Sequence, residues 1–175
     1  FMKSTNLIDW TSAGGFKGYT IDVNRDFRAE CPDLVFLKAD DNTTHAVLTL
    51  TARNYLVGSV AYDEESGHIK FLDVKGRDIS ALPLEEIPYQ KMDYGPDSYA
   101  TQTFYIDDES SEYYGKTVGI SWFSGVPGGV ASIESGALHV LRMPWNGGGV
   151  TIPTVWGLAK DGDGYKLTQS PIVKT

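Results

Sequence analysis

The ordered stretches of this chain are short, rich in β-branched or aromatic residues, and closed by Gly, Pro, Asn or Asp. This pattern is typical of strands joined by turns, and helical periodicity is absent. The sequence therefore predicts an all-β fold. The segments predicted as strands are 34–38, 46–51, 55–62, 69–74, 101–106, 117–123, 137–143, 150–158 and 165–168.

Segment 46–51 reads AVLTLT and is almost continuously apolar or β-branched. A strand of this kind has both faces covered, which predicts neighbouring sheets on either side, as in a sandwich or a propeller. The strands form two groups, 34–74 and 101–168, each with about the four strands of a propeller blade. The prolines in the connection between them predict an irregular segment at 75–100.

Composition and charge exclude several functions. The chain has 15 Lys and Arg against 23 Asp and Glu, a net charge of −8 and no long basic stretch, which argues against nucleic acid as a partner. No apolar run approaches the roughly 20 residues of a membrane span. A single cysteine, Cys31, excludes an intrachain disulfide and leaves the redox compartment open.

No metal or other cofactor is predicted. The histidines, His45, His68 and His139, are dispersed and lack metal-ligand spacing. Segment 161–164 reads DGDG and resembles part of a calcium loop, but the acidic ligands that should follow are missing, so we interpret it as a turn.

Four segments together carry a family resemblance. They are KSTNLIDW at 3–10, ECPDL at 30–34, DYGPDSYATQTF at 93–104, and GISW at 119–122, the last continuing to Pro144-Trp145 and DGDGYKL at 161–167. Each is weak alone, but in this order they resemble motifs of glycoside hydrolase family 32, the invertases, inulinases and levanases. The resemblance implies a partial five-bladed β-propeller made of the last two to three blades. We expect the end of one blade and the acid/base loop at 1–33, one blade at 34–92, the last blade at 93–175, and further sequence before residue 1.

The resemblance also implies a site. Glu30 would be the acid/base residue. Cys31 has no histidine near it in the sequence, so we interpret it as a small buried residue behind Glu30 and not as a nucleophile, and we group it with the substrate-binding residues. Asp93 would accept hydrogen bonds from fructose hydroxyls, with capping of its own turn as the alternative. Trp122 would stack on a furanose ring, with core burial as the alternative. Tyr94 would be either a pocket wall or a core aromatic.

The departures from the family are equally informative. Nothing in the chain is similar to the Trp-Met-Asn-Asp-Pro-Asn motif that holds the family's nucleophile. Arg25-Asp26 is followed by Phe27 and lies after the Ser-x-Asn-Leu segment, so the role of the family's Arg-Asp-Pro aspartate is not assigned to Asp26. The chain is therefore expected to carry the acid/base half of a site and to be inactive alone.

Two functions remain open at this stage. One is a retaining glycoside hydrolase acting on β-D-fructofuranosides such as sucrose, inulin or levan, with a fructose-containing oligo- or polysaccharide as the ligand. The alternative is a non-catalytic fructan-binding or assembly fragment, in which a second chain or copy covers open blade faces. Of the remaining aromatic residues, Tyr99, Trp10, Trp145 and Trp156 are predicted to pack in the interior.

Overall fold

The computed structural model describes residues 1–17, 31–50, 53–94, 98–123 and 149–173. In these ranges the regular structure consists of strands and one 3₁₀ turn at Leu84–Glu86, which confirms the all-β prediction. No helix among them has the length and apolar character needed to cross a bilayer. The strands are β1 (Met2–Lys3), β2 (Thr11–Ser12), β3 (Asp33–Lys38), β4 (Thr44–Leu50), β5 (Asn54–Asp63), β6 (His68–Asp73), β7 (Gln90–Lys91), β8 (Ser98–Tyr105), β9 (Thr117–Phe123), β10 (Gly149–Val150), β11 (Thr154–Asp161) and β12 (Gly164–Pro171).

The strands form one hairpin and two larger antiparallel sheets. β1 pairs with β2, the middle sheet has the order β3-β4-β5-β6, and the last sheet has the path β8-β9-β11-β12. The short strand β7 pairs with the start of β5, and β10 pairs with the end of β9. Each large sheet is thus built on four strands in chain order, the arrangement of a propeller blade.

Most predicted strands are confirmed within a few residues, and 117–123 coincides with β9. The segment 137–143 lies outside the described residues. The single strand predicted at 150–158 is wrong, because β10 ends at Val150 and β11 begins at Thr154. Between them Thr151 donates its N–H to the Ser121 carbonyl (2.8 Å) and accepts the Ser121 N–H on its hydroxyl (3.0 Å). Pro153 follows and has no N–H to continue the ladder.

The connection at 75–100 is more regular than predicted. The 3₁₀ turn begins directly after Pro83, and β7 begins two residues after Pro88, so these prolines flank regular elements instead of preventing them. Proline is tolerated at such positions because the missing N–H has no partner to lose there.

The core confirms that strand β4 is covered on both faces. Its residues from Ala46 to Leu50 are at most 5% exposed. One face, the inter-sheet core, packs against the last sheet, and the other, the outer core, packs against residues that follow β2 and β6. Burying a side chain such as Val or Leu contributes about 1.5–3 kcal/mol. The inter-sheet core includes Leu37, Val47, Tyr55, Val57, Met92, Trp156 and Leu158, and the outer core includes Ala46, Leu48, Leu50, Leu56, Phe71, Ile79 and Ile87.

The tryptophans differ in their surroundings. Trp156 is 5% exposed in the inter-sheet core, which confirms its packing role. Trp10 is 51% exposed, so the packing role predicted for it is wrong, and its indole N–H bonds the Leu7 carbonyl of its own hairpin at 3.3 Å. Trp145 lies outside the described residues.

A cluster of hydrogen bonds, the far clamp, joins the β3–β4 turn to the β11–β12 hairpin. The Lys160 N–H donates to Asp40 (3.0 Å), while Asp41 accepts from the Tyr165 hydroxyl (2.9 Å) and the Lys160 ammonium (3.2 Å). The hydroxyl and N–H of Thr43 also bond Asp41, and together these donors hold the pKa of that carboxyl well below its usual range. The far clamp therefore fixes the two large sheets at the end where β3 and β11 finish.

Candidate functional site

At the opposite end of the two sheets, which we call the site end, the beginning of β3 lies beside the second half of β8. The Asp33 carboxylate accepts both the N–H and the hydroxyl of Thr103, each at 2.7 Å. The Asp33 N–H in turn donates to the Thr49 hydroxyl at 3.0 Å. Asp33, which follows the Glu-Cys-Pro motif, is therefore hydrogen-bonded both within the middle sheet and to the last sheet.

Glu30, the predicted acid/base residue, lies outside the described residues, so its role stays a prediction. The described segment opens at the next residue, Cys31, whose carbonyl accepts a bond from the Gln102 side-chain amide at 3.3 Å. Cys31 is exposed, so its prediction as a buried residue is wrong. Its φ is +47°, and this left-handed turn interrupts the alternation that would have directed the thiol toward the interior.

Asp93 and Tyr94 follow β7 and are both exposed. Tyr94 is 89% exposed, so a core position is excluded and the pocket-wall role stays a prediction. Met92, buried just before them, is held on both sides: its N–H donates to the Arg53 carbonyl (2.8 Å) and its carbonyl accepts from the Gln169 amide (2.7 Å). The backbone that leads into Asp93 is therefore fixed, and both roles predicted for Asp93 stay predictions.

Trp122 lies on β9 opposite Tyr99 of β8, and the two rings meet edge to face with centroids 5.8 Å apart. Trp122 is 38% exposed, which excludes full core burial, and Tyr99 is half-buried. A partly exposed indole can stack on the apolar side of a sugar ring. Stacking on a furanose remains a prediction.

A β-bulge in β8 directly follows Tyr99 of this aromatic pair. The register of β8 against β9 shifts by one residue between Tyr99 and Gln102, and Ala100 has a left-handed φ of +50°. The next residue, Thr101, is buried and bonds the Ser121 hydroxyl at 2.5 Å. Bulges re-aim side chains next to functional sites, and here Tyr99 is turned toward the exposed Trp122.

Arg53 connects the parts of the site end and was missed by sequence reasoning. Its guanidinium Nε donates to the Ser98 carbonyl at 3.1 Å, and its own carbonyl receives the Met92 N–H. The start of β8 and the segment leading to Asp93 therefore meet at one residue. No motif marks Arg53, whereas Asp33 and Thr103 both lie within segments that carry the family resemblance.

Tyr55, at the start of β5, links β7 to β12. Its hydroxyl donates to the Gln90 side chain and accepts the Leu167 N–H, both at 3.0 Å. Burial raises the pKa of Tyr55, so the phenol stays neutral. Within the described ranges no group of three or more His, Cys, Asp or Glu could hold a metal ion.

The four-stranded antiparallel sheets define the fold class of the protein as a β-propeller. The family model for the glycosyl hydrolases family 32 N-terminal domain matches residues 1–171. The chain belongs to this family.

Individual relatives agree with this assignment. A fructan beta-fructosidase from Streptococcus mutans serotype c is 30% identical over 110 residues, covering 63% of this chain and 6% of that protein. The fold is similar to that of exo-inulinase from Aspergillus awamori, with a TM-score of 0.57 and 24% identity over 97% of this chain and 30% of that one.

A fructofuranosidase variant from Schwanniomyces occidentalis, complexed with fructosylnystose, gives a TM-score of 0.54 and 19% identity over 99% of this chain and 30% of its own. The chain thus spans about 30% of the solved structures it resembles. This fold similarity confirms the partial propeller. The blade boundaries at 1–33, 34–92 and 93–175 stay predictions.

Proposed function

We propose that the chain supplies the acid/base half of a retaining β-fructofuranosidase site acting on sucrose, inulin or levan. The observation that carries the proposal is the family match over residues 1–171, which includes the Glu-Cys-Pro motif that leads into β3. The anchoring of the residue after this motif, Asp33, at the site end supports it.

A retaining glycosidase uses two carboxyl groups about 5–5.5 Å apart. Glu30 would donate its proton to the leaving glycosidic oxygen while the second carboxylate attacks the anomeric carbon, giving a fructosyl-enzyme and the free leaving group. Glu30, now a carboxylate, would take a proton from water as that water displaces the enzyme carboxylate and releases fructose. No segment of this chain resembles the nucleophile motif. The proposal therefore assigns the second carboxylate to a segment outside residues 1–175.

The remaining residues would bind the sugar. Trp122 would stack on the furanose, Asp93 would accept hydrogen bonds from its hydroxyls, and Tyr94 and Cys31 would line the edge of the pocket. The fructosylnystose complex of the Schwanniomyces enzyme supports a fructose-containing oligosaccharide as the ligand class.

The isolated 175-residue chain should release no fructose from sucrose, inulin or levan, because a proton donor without an attacking carboxylate loses the covalent route. Fructose is measured after prolonged incubation against a protein-free blank. Release at an enzyme-like rate would contradict the half-site.

The role of Glu30 is tested in the polypeptide as the cell makes it. Glu30→Gln should lower kcat by about 10²–10⁴-fold, the usual contribution of general acid–base catalysis. Glu64→Gln, in an exposed turn between β5 and β6, is the matched control and should leave kcat unchanged. Equal kcat in both variants would remove Glu30 from the mechanism.

A second candidate is a non-catalytic fructan-binding module, which the exposed Trp122 favours. Binding of inulin or levan to the isolated chain by titration calorimetry would then survive Glu30→Gln and be lost in Trp122→Ala. Trp10→Ala removes another exposed indole, on the β1–β2 hairpin, and should leave binding intact. Absence of binding by the wild-type chain would rule this candidate out.

A further inference from the structure

The carboxylate of Asp33 bridges the two large sheets. It accepts the N–H and the hydroxyl of a single residue, Thr103, at 2.7 Å each, and Thr103 belongs to a different sheet. Hydrogen bonds to a charged acceptor are about twice as strong as neutral ones. Within the described ranges these two hydrogen bonds hold the Asp33 side chain.

A neighbouring contact acts on the same segment. The Gln102 amide, one residue before Thr103, donates to the Cys31 carbonyl at 3.3 Å. Two consecutive residues of β8 therefore hold residues 31 and 33, with Pro32 between them restricting the backbone further. We name this set of contacts, made by Gln102 and Thr103 to Cys31 and Asp33, the near latch.

From this geometry we infer that Asp33 is a positioning residue, whose near latch fixes the backbone of residues 31–33, the segment that directly follows Glu30 in the chain. The inference rests on the proposed function for its catalytic consequence, because Glu30 is joined directly to Cys31. A displacement of about 1 Å in a catalytic group can cost about a hundredfold in rate, so a latch two residues away has a large effect available to it.

The first test uses Cys31 as a reporter in the 175-residue chain, where it is the sole cysteine and is exposed. The rate of its modification by a chromogenic disulfide reagent is measured in native buffer. Asp33→Asn and Thr103→Val should each raise that rate about threefold or more by freeing the segment. Thr103→Val keeps the carboxylate and so separates this effect from a change of charge.

The controls use matched chemistry. Thr103→Ser keeps both donors and should react like the wild type. Asp41→Asn weakens the far clamp, which joins the same two sheets at the other end, and should leave the Cys31 rate unchanged. Equal modification rates in Asp33→Asn, Thr103→Val and the wild type would overturn the inference.

The second test measures fructose release in the polypeptide as the cell makes it. Asp33→Asn should lower kcat by about ten- to a hundredfold while KM stays within about threefold of the wild-type value. It should also shift the limb of the pH–rate profile that reports the general acid Glu30. Thr103→Ser and Asp41→Asn should keep the wild-type kcat and pH profile. Wild-type kinetics in Asp33→Asn would overturn the positioning role even if labelling responds. A wild-type polypeptide with no fructosidase activity would instead refute the proposed function, and the labelling rates would still decide the latch.

Discussion

At the scale of single residues, Ala100 has a backbone conformation that suits glycine better than alanine. Its φ of +50° lies in the left-handed region, where a Cβ atom is costly, by about 1–2 kcal/mol. Ala100→Gly should raise the free energy of unfolding by about 0.5–1 kcal/mol, because the relief of strain exceeds the added entropy of the unfolded chain. Urea denaturation measures the change.

A strand alanine without positive φ provides the comparison. Ala61 lies in β5, and Ala61→Gly should lower the free energy of unfolding by about 0.5–1 kcal/mol. Ala100→Val should also destabilise, since a β-branched side chain tolerates this conformation least. A loss of stability in Ala100→Gly matching that in Ala61→Gly would show that the bulge is not strained.

Asp63 makes stability depend on acid pH. Its bond with the Lys70 ammonium, aided by the N–H groups of Ser66 and Glu65, lowers its pKa from 3.8 to about 2. A carboxyl with a lowered folded-state pKa stabilises above its unfolded value and loses that contribution as the pH falls through the folded one. The free energy of unfolding should therefore decline between pH 4 and pH 2, and less steeply in Asp63→Asn.

Urea unfolding at several pH values in that window tests this prediction. Asp41, Asp73 and Asp108 also have lowered pKa values, so the difference between the two proteins, and not the wild-type slope, isolates Asp63. Glu64→Gln in the same turn should follow the wild-type curve. Parallel curves for wild type and Asp63→Asn would contradict the assignment.

At the scale of elements, β9 and β11 approach closely because Gly119 has no side chain. A Cβ there would lie 2.3 Å from the Trp156 indole nitrogen, which is itself fixed by a 3.1 Å bond to the Thr154 hydroxyl. Gly119→Ala should lower the free energy of unfolding by about 1–3 kcal/mol through overpacking. Thermal or urea unfolding measures it.

Gly15→Ala is the control, because its Cβ would meet nothing closer than 3.9 Å. It should change the free energy of unfolding by less than about 0.5 kcal/mol, as exposed substitutions usually do. Equal effects at Gly119 and Gly15 would mean that the indole moves aside without cost.

The strands themselves were largely predictable, since β-branched runs bounded by turn residues report local structure. The break between β10 and β11 was not, because the Thr151 hydroxyl replaces a backbone group in the ladder, which depends on its distant partner Ser121. The positive φ of Cys31 could not be predicted from the sequence either, because cysteine has no preference for that conformation. Family motifs indicated Asp93 and Trp122. The link that Arg53 makes between Met92 and Ser98 could not be predicted, because it depends on the positions of two backbone carbonyls.

At the scale of the whole molecule, the outer-core face of the middle sheet is left open at its edge strand β3. Leu34 and Phe36, on β3, are 38% and 63% exposed, although they pair with the buried Leu48 and Ala46 on the same face. Exposed apolar surface of this kind favours association. We expect the purified 19.2 kDa chain to self-associate and to bind an apolar-surface dye.

Light scattering tests this association directly. Phe36→Glu should shift the population toward monomer and reduce dye binding, whereas Tyr114→Glu, at an exposed position in the β8–β9 connection, should not. A wild-type chain that is monomeric and binds no dye would contradict the prediction and, with it, the need for a second chain or copy.

The extra residue in β8 also limits how this strand can change in length. Tyr99 and Thr101 are two positions apart, yet one meets the exposed Trp122 and the other the buried Ser121. Removing one residue between them would restore plain alternation and exchange inside for outside over half of the strand. Relatives that keep both the aromatic pair and the hydroxyl pair must therefore keep the spacing between them, whatever residue occupies position 100.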